Sequence, residues 1–535
     1  MTNKEIAALF NELATMMEIH GENEFKIKTY ANAYLTLRKL DQPLLEQSKE
    51  ENMMIKGIGS SVADKIEEIK KTNTFQVYEE FKNKTPKGVR DIIKIKGLGP
   101  KKVKTIWREL EIESLGELLY ACQENRLVTL KGFGVKIQNE VISNIEFLNE
   151  NTDSFLYPQI EKVEQELVKE LKSLNPNTRI ESTGAFRRHL QILEGLDILA
   201  DASLILPNSI AQVNGKILFN ERVPINFHYT SPEEFGSKWI ETTSGSDKFL
   251  TKIDFKKEAS RTESEILIDA FGKFIPAECR DNEDVQKLNI EALVTHSDLK
   301  GIIHNHSTYS DGIYSLRDMT MECMRLNYEY FVISDHSKTA SYANGLNIDR
   351  LYTQWNEIDS INKEFPSFKV FKSIESDILS NGDLDYDDEI LGKFDLVIAS
   401  IHQNLNMDLD KAMIRLIKAV ENPFTRILGH PTGRLLLSRK GYPVDFIKLI
   451  DACAANNVVI ELNSNPYRLD MDYSHIDYAQ EKGVLISINP DAHNLLAIQD
   501  VKYGIMAARR GNLQKSNCLN TMNLAEFETW ISSKK

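Results

Sequence analysis

The sequence predicts a multidomain α/β protein with a helical N-terminal part and a C-terminal barrel of alternating strands and helices. Three observations lead there. The chain has 535 residues, too many for one ordinary domain. Its C-terminal part runs through short apolar stretches, each leading to a histidine or a carboxylate, with helix-period segments such as residues 316–326 and 443–455 between them. Its N-terminal part repeats one pattern, apolar-Lys-Gly-apolar-Gly, at three places.

The N-terminal repeats are Ile55-Lys56-Gly57-Ile58-Gly59, Ile95-Lys96-Gly97-Leu98-Gly99 and Leu130-Lys131-Gly132-Phe133-Gly134. Each precedes a helix-period segment, as at Val62-Ala63-Asp64-Lys65-Ile66. The pattern resembles the helix-hairpin-helix motif. Its glycines permit a tight turn and close backbone approach. The free N–H groups opening the next helix suit a phosphate oxygen, and Lys96, Lys101, Lys102 and Lys131 add charge without reading bases. Net charge is −14, which averaged over the chain argues against nucleic acid. Residues 82–108 reverse it locally, with ten Lys/Arg against the single acid Asp91. Sequence-nonspecific DNA binding is expected. Ahead of the first repeat, residues 16–40 read as one amphipathic helical stretch around Phe25, Tyr30, Ala33, Tyr34 and Leu37, the core of a small domain.

In the C-terminal part, Gly301-Ile302-Ile303 leads to His304 and His306, with Asp311 shortly after. Tyr330 to Ile333 leads to His336, Val370 to Ile374 to Glu375, and Leu396 to Ala399 to His402. Ile427-Leu428 leads to His430, and Val484 to Ile488 to Asp491 and His493. Six of the chain's 11 histidines fall in this set, so strand after strand delivers a metal-ligand side chain to one rim. H-x-H on a strand places both imidazoles on one face. Nine N and O ligands suffice for two or three ions if a carboxylate bridges.

Bulk properties narrow the class. No run of 18 apolar residues exists, and the N-terminus lacks a signal-peptide core, so neither a membrane span nor secretion is expected. Cys122, Cys279, Cys323, Cys453 and Cys518 are scattered and odd in number, as reduced cytosolic thiols are.

The order of these parts resembles the bacterial family X DNA polymerases that carry a C-terminal polymerase-and-histidinol-phosphatase (PHP) domain. The resemblance covers nearly the whole chain. It rests on His304-Asn305-His306-Ser307-Thr308-Tyr309-Ser310-Asp311-Gly312, Ser334-Asp335-His336-Ser337, His430-Pro431-Thr432-Gly433-Arg434, Asn463 to Arg468 and Asp491-Ala492-His493. It implies a lyase-like helical domain at 1–82, fingers with two hairpin motifs at 83–148 and a nucleotidyltransferase-like α+β palm at 149–236. A thumb and linker at 237–294 and a distorted (βα)7 TIM-like barrel at 295–535 would complete the chain. It also implies a bacterial cytoplasmic, nucleoid-associated protein, and no motif for a protein partner is found.

By the same resemblance, His304, His306, Glu375 and Asp491 would hold one ion. Glu375, His402 and His430 would hold a second, and Asp311, His336 and His493 a third. Glu375 and Asp491 are then catalytic positions. Such a cluster supplies hydroxide near neutral pH and clamps both oxygens of an in-line phosphoryl displacement. The family implies manganese, while imidazole-rich sites also suit zinc and iron. Arg434 is either a phosphate clamp or a structural ion pair.

The palm departs from the family pattern. Gly184-Ala185-Phe186-Arg187-Arg188 has Ala185 where the family has serine, Gly195 and Asp197 stand for an aspartate pair, and Asn226 replaces the third aspartate. One carboxylate should hold Mg²⁺ poorly. Glu194 compensates only if it points to the opposite strand face. Lys65 aligns with the family's Schiff-base lysine for lyase activity. The expected function is a DNA-binding, metal-dependent phosphoesterase acting on 3′, abasic or blocked DNA ends, with a decayed palm. Alternatives are a gap-filling polymerase and a small-molecule phosphatase with a scaffold N-terminal region.

Overall fold

A computed structural model describes residues 1–40, 42–148, 154–255, 260–282 and 284–533. Contacts group the chain into two units, Met1–Leu148 and Asn149–Lys535.

The first unit is helical. Thr2 caps the opening helix Asn3–His20 in a capping box with Glu5, and Gly21, at φ +77°, ends it. The expected single stretch over 16–40 is therefore two helices, the second being Glu24–Leu37. Phe10, Leu13, Tyr30, Ala33, Leu37, Val62, Ile66 and Phe75 form the core. Phe25, expected in that core, is 79% exposed, because it sits in the first turn of the second helix rather than on its buried face. The helix Gln76–Lys84 runs through the expected 82/83 boundary and packs Tyr78 and Phe81 into the same core. The apolar core of the first helices therefore takes in residues of that helix as well.

The second unit contains two large sheets and a short antiparallel pair, Phe155–Leu156 with Ile192–Leu193. The five-stranded sheet is formed by β1 (Ile180–Thr183), β2 (Leu196–Ala200), β3 (Ile210–Val213), β4 (Lys216–Phe219) and β5 (Val223–Tyr229). Its order is β1-β2-β5-β4-β3, and only the β2/β5 pair is parallel. The expected palm start at residue 149 lies outside the described residues. Its expected end at 236 falls inside the helix Phe235–Thr243, which continues without a break. Beyond it Ile240, Phe249, Ile266, Leu267, Phe271 and Ile275 build a separate apolar cluster.

The seven-stranded sheet is formed by β6 (Gly301–Ile302), β7 (Tyr330–Ile333), β8 (Lys369–Asp377), β9 (Leu396–Ser400), β10 (Thr425–Leu428), β11 (Val459–Asn463) and β12 (Ile486–Asn489). All neighbours are parallel and follow chain order. Helices such as Leu316–Arg325, Ile348–Glu364, Leu409–Glu421 and Phe446–Asn456 supply crossovers. Asn305 bridges Ala492 in parallel, which brings the first and last strands together into a nearly closed, TIM-like barrel. One apolar cluster runs from Phe155, Ile198 and Ile225 of the smaller sheet region to Ile302, Phe331, Ile374 and Ile488 of the barrel.

Candidate functional site

The carboxyl ends of the barrel strands converge on one buried polar cluster. β6 stops at Ile302, so His304 and His306 lie past the strand and not on it. Their shared direction has another cause than strand alternation: His304 has φ +62°. Asp491 is likewise at φ +51°. Non-glycine residues in this region cost about 1–3 kcal/mol and persist where the surroundings over-determine them. β8 runs two residues beyond Glu375, so Glu375 and Asp377 share a face.

Glu375 is the hub. Its Oε1 lies 3.2 Å from His304 Nε2, 3.1 Å from His402 Nε2 and 2.9 Å from His430 Nε2. Its Oε2 lies 3.0 Å from His336 Nδ1 and 3.6 Å from His306 Nε2. Asp491 Oδ1 is 3.0 Å from His306 Nε2 and 3.7 Å from His304 Nε2. Asp311 sits 3.2 Å from His493 Nε2 and 3.5 Å from His336 Nε2. Within the second unit, three sets of ligand atoms come within reach of one ion each: His306, Asp311, His336 and His493; His304, His306 and Asp491; and His336, Glu375 and His402. The grouping differs in detail from that implied by the resemblance. His306 and His336 each stand in two sets, and His430 faces Glu375 alone.

Beyond the nine lie three acids that sequence reasoning missed. Glu461 accepts from His304 Nδ1 at 2.6 Å. Asp377 accepts from His402 Nδ1 at 2.5 Å. Asp335 accepts from Ser307 and Ser310, through backbone N–H and hydroxyl, and from Gln354 Nε2. A signal existed at two of them: an acid inside the apolar run Val459-Ile460-Glu461-Leu462, and one two residues after Glu375.

Electrostatics and satisfaction both fit cations. Burial lowers an imidazole, and together with the neighbouring His493 and His336 it pushes His306 down to about 3. At His304 burial is outweighed by Glu461, Glu375 and Asp491, which hold it well above its ordinary value. Burial works against ionised Glu375 as well, but the surrounding histidines keep its carboxyl well below the usual range. His304 Nε2, His306 Nε2, His336 Nε2 and Glu375 Oε2 are buried and lack a hydrogen-bond partner. Buried polar atoms are otherwise nearly always paired, and here the imidazole and carboxylate atoms are those that divalent ions take.

The remaining predicted residues are placed as follows. Gly57, Gly97 and Gly132 have φ +97°, +91° and +88°, backbone that strongly favours glycine. Gly59 and Gly99 are the N-caps of Ser60–Thr72 and Pro100–Glu109, and Gly134 directly precedes Val135–Leu148. None of these helices carries an acid in its first turn, and a Cβ on Gly59, Gly99 or Gly134 would meet no atom of the protein within 4 Å. Lys101 and Lys102 belong to the first turn after Gly99, and Lys102 donates to the Gly97 carbonyl at 3.2 Å. Lys96 and Lys131 occupy the turns just before Gly97 and Gly132. Lys65 donates to the Ser61 carbonyl at 3.3 Å and lies 5.7 Å from the Tyr30 ring.

Arg434 is not set up as a phosphate clamp. Its guanidinium is taken by Asp472 at 2.8 Å, the carbonyls of Arg468 and Leu469, and Gln191. In the smaller sheet, Asp197 and Asn226 are register partners on β2 and β5. Asp197 Oδ1 accepts from Asn226 Nδ2 at 3.2 Å and faces His228 Nε2 at 3.0 Å. Ala185 packs against the apolar cluster, and Glu194 is exposed. Arg187 pairs with Glu263 through both nitrogens, at 2.6 and 2.5 Å, and stacks on Trp239. Arg188 binds Asp281 at 3.1 Å and the Thr243 carbonyl. These arginines tie the sheet to the segment after it.

Comparison with known proteins agrees with this architecture. A helix-hairpin-helix domain model matches residues 1–75, and a SAM-like helix-hairpin-helix tandem model matches residues 89–144. The DNA polymerase/3′-5′ exonuclease PolX of Bacillus subtilis (strain 168) is 32% identical over 569 aligned residues, covering 99% of each chain. A probable phosphatase of Thermoanaerobacter sp. (strain X514) is 23% identical over 243 residues, covering 43% of this chain and 94% of the relative. The crystal structure of histidinol phosphate phosphatase from Lactococcus lactis, complexed with zinc, L-histidinol and phosphate, matches at 15% identity and a TM-score of 0.29, over 40% of this chain and 94% of that one. With full-length similarity of that extent, hairpin domains in its N-terminal part and a seven-stranded parallel barrel after them, the chain belongs to the bacterial family X DNA polymerases with a C-terminal PHP domain.

Proposed function

We propose that this chain is a DNA-binding, metal-dependent phosphoesterase that works on DNA 3′ ends, or on abasic and blocked ends, during repair. The observation that carries the reading is the buried cluster of six imidazoles and three carboxylates at the strand ends. It would hold three divalent ions, manganese in the first place and zinc or iron as alternatives. When bound, those ions supply an activated water and charge stabilisation at the phosphorus. The chain's own residues do the rest. Glu375 and Asp491 fix the imidazole nitrogens around a common centre, and Glu461 and Asp377 hold His304 and His402 by their far nitrogens. The left-handed backbone at His304 and Asp491 aims both side chains inward.

The three hairpins support DNA as the substrate class, gapped, nicked or 3′-ended, because each offers backbone N–H groups at a helix start free of acids. Affinity of the full-length protein for DNA should be independent of sequence and should fall with salt, with a logarithmic slope of about −0.9 per phosphate neutralised. Gly99→Val is a clean probe. Gly99 has φ −79°, which valine adopts, and its Cβ direction is open, so the substitution obstructs the phosphate and not the fold. Weaker DNA binding at unchanged melting temperature is expected, and binding that ignores both salt and Gly99→Val would remove the hairpins from the account.

A second reading is favoured by the Bacillus subtilis relative, whose name carries both polymerase and exonuclease: the palm of this chain still fills gaps. Lyase activity at Lys65 is a smaller companion proposal. Loss of a borohydride-trapped DNA adduct in Lys65→Ala is its test. Release of nucleotides from end-labelled DNA with Mn²⁺, lost on chelation and regained on metal addition, tests the main reading.

A further inference from the structure

Glu461 lies in the middle of β11 with none of its surface exposed. An acid there is costly unless each oxygen is hydrogen-bonded. Both oxygens are. Oε1 accepts from the His430 backbone N–H at 3.2 Å and from Asn463 Nδ2 at 3.0 Å. Oε2 accepts from Asn489 Nδ2 at 2.8 Å and faces His304 Nδ1 at 2.6 Å. Asn463 Nδ2 also donates to Asp491 Oδ2 at 3.0 Å. One carboxylate thus touches one metal-ligand imidazole, the backbone of a second ligand, and a third ligand through one amide.

We infer that Glu461 is the positioning residue that sets the tautomer of His304 and the spacing of His304, His430 and Asp491, with Asp377 doing the same for His402 at the other side of Glu375. The inference rests on the metal-dependent reading above. A carboxylate can only accept, so Nδ1 of His304 must carry the proton, which leaves Nε2 with its lone pair toward Glu375 and Asp491. That Nε2 is buried and has no hydrogen-bond partner, as a metal-facing nitrogen would.

The amide substitution separates this from a packing role. In Glu461→Gln, the His430 N–H cannot accept, so the amide oxygen must stay on its side. The amide nitrogen then faces His304 and Asn489. Asn489 can turn its own amide, whose oxygen is without a partner, to receive it. His304 can receive it only by moving its proton to Nε2, the nitrogen wanted for the metal. The fold is kept and one ligand is lost. At Asp377 the effect is milder, because Thr339 Oγ1, now donating to Oδ2 at 2.9 Å, can accept from an asparagine amide.

The experiment uses the full-length protein, stripped of metal and titrated with Mn²⁺. Bound metal per chain is counted by mass spectrometry, affinities come from calorimetry, and melting is followed by circular dichroism. Glu461→Gln should keep native secondary structure but bind fewer ions, or bind one of them about 10- to 100-fold more weakly. Its nuclease activity should need correspondingly more Mn²⁺. Asp377→Asn should shift in the same direction by less, and Glu461→Asp, which keeps charge and both acceptors, should recover part of the loss. Wild-type stoichiometry and affinity in Glu461→Gln, with only a lower melting temperature, would overturn the inference and leave the metal-dependent reading standing. If Glu461→Gln does not fold, wild-type metal affinity in Asp377→Ala, which leaves His402 Nδ1 no acceptor at that position, would overturn it instead. A wild-type protein that binds no divalent ion would sink the reading itself, and the inference with it.

Discussion

Glu375→Ala is expected to abolish hydrolysis while DNA affinity stays close to wild type. Glu375 reaches five of the six imidazoles in the cluster, three through Oε1 and two through Oε2. No other side chain of the set joins His402 and His430 to the remaining ligands. Its removal leaves buried imidazoles without the anion that organises them, and ions held there would lose a ligand. Losing one electrostatic stabiliser costs about 10²–10³ in rate in other active sites. The loss here should be at the upper end or beyond, because ligands of one cluster act as a unit. DNA binding should survive, since the hairpins belong to the separate unit Met1–Leu148 with its own core. Turnover of end-labelled DNA and a binding isotherm on the same preparation check both halves. Wild-type nucleotide release by this variant would remove the cluster from the mechanism.

The second large effect concerns the palm. In a Glu375→Ala background, where product cannot be erased, extension of a primer across a one-nucleotide gap should be near background with Mg²⁺ or Mn²⁺. Asp197 has Thr183 and Asn226, not carboxylates, as its register partners, and its Oδ1 is already engaged by Asn226 and His228. Arg187 and Arg188 are occupied by Glu263 and Asp281. Restoring the family's acids with Gly195→Asp and Asn226→Asp looks sufficient from the sequence alone. Geometry opposes the first of them: a Cβ at Gly195 would lie 2.5 Å from the Pro224 carbonyl oxygen, on backbone two residues before Asn226. The pair should therefore yield little extension unless β5 moves, whereas Asn226→Asp alone adds a carboxylate without that clash. Robust template-directed extension by the unrestored palm would promote the polymerase reading to first place.

What the sequence made legible follows from how local each signal is. A Gly-x-Gly before a helix needs no distant partner, so the hairpins could be read directly, down to the left-handed Gly57, Gly97 and Gly132. A histidine after an apolar run is equally local, and the barrel supplies the convergence once strands are parallel and in chain order. Glu461, Asp377 and Asp335 escaped because their meaning depends on partners far along the chain: Glu461 is 157 residues from His304. Arg434 was ambiguous for the same reason, its ion pair with Asp472 spanning 38 residues. Phe25 misled because an apolar residue in a helix-period window need not face the core. The steric veto at Gly195 arises only when β5 is laid beside its strand.

The most direct measurement is one gel with the wild-type protein, Mn²⁺, nucleotides and gapped DNA labelled at the 5′ end of the primer strand. The account predicts stepwise shortening from the 3′ end that chelation stops and that Glu375→Ala lacks. Lengthening of the primer with no shortening, or intact DNA under conditions where a small phosphomonoester is hydrolysed, would contradict it.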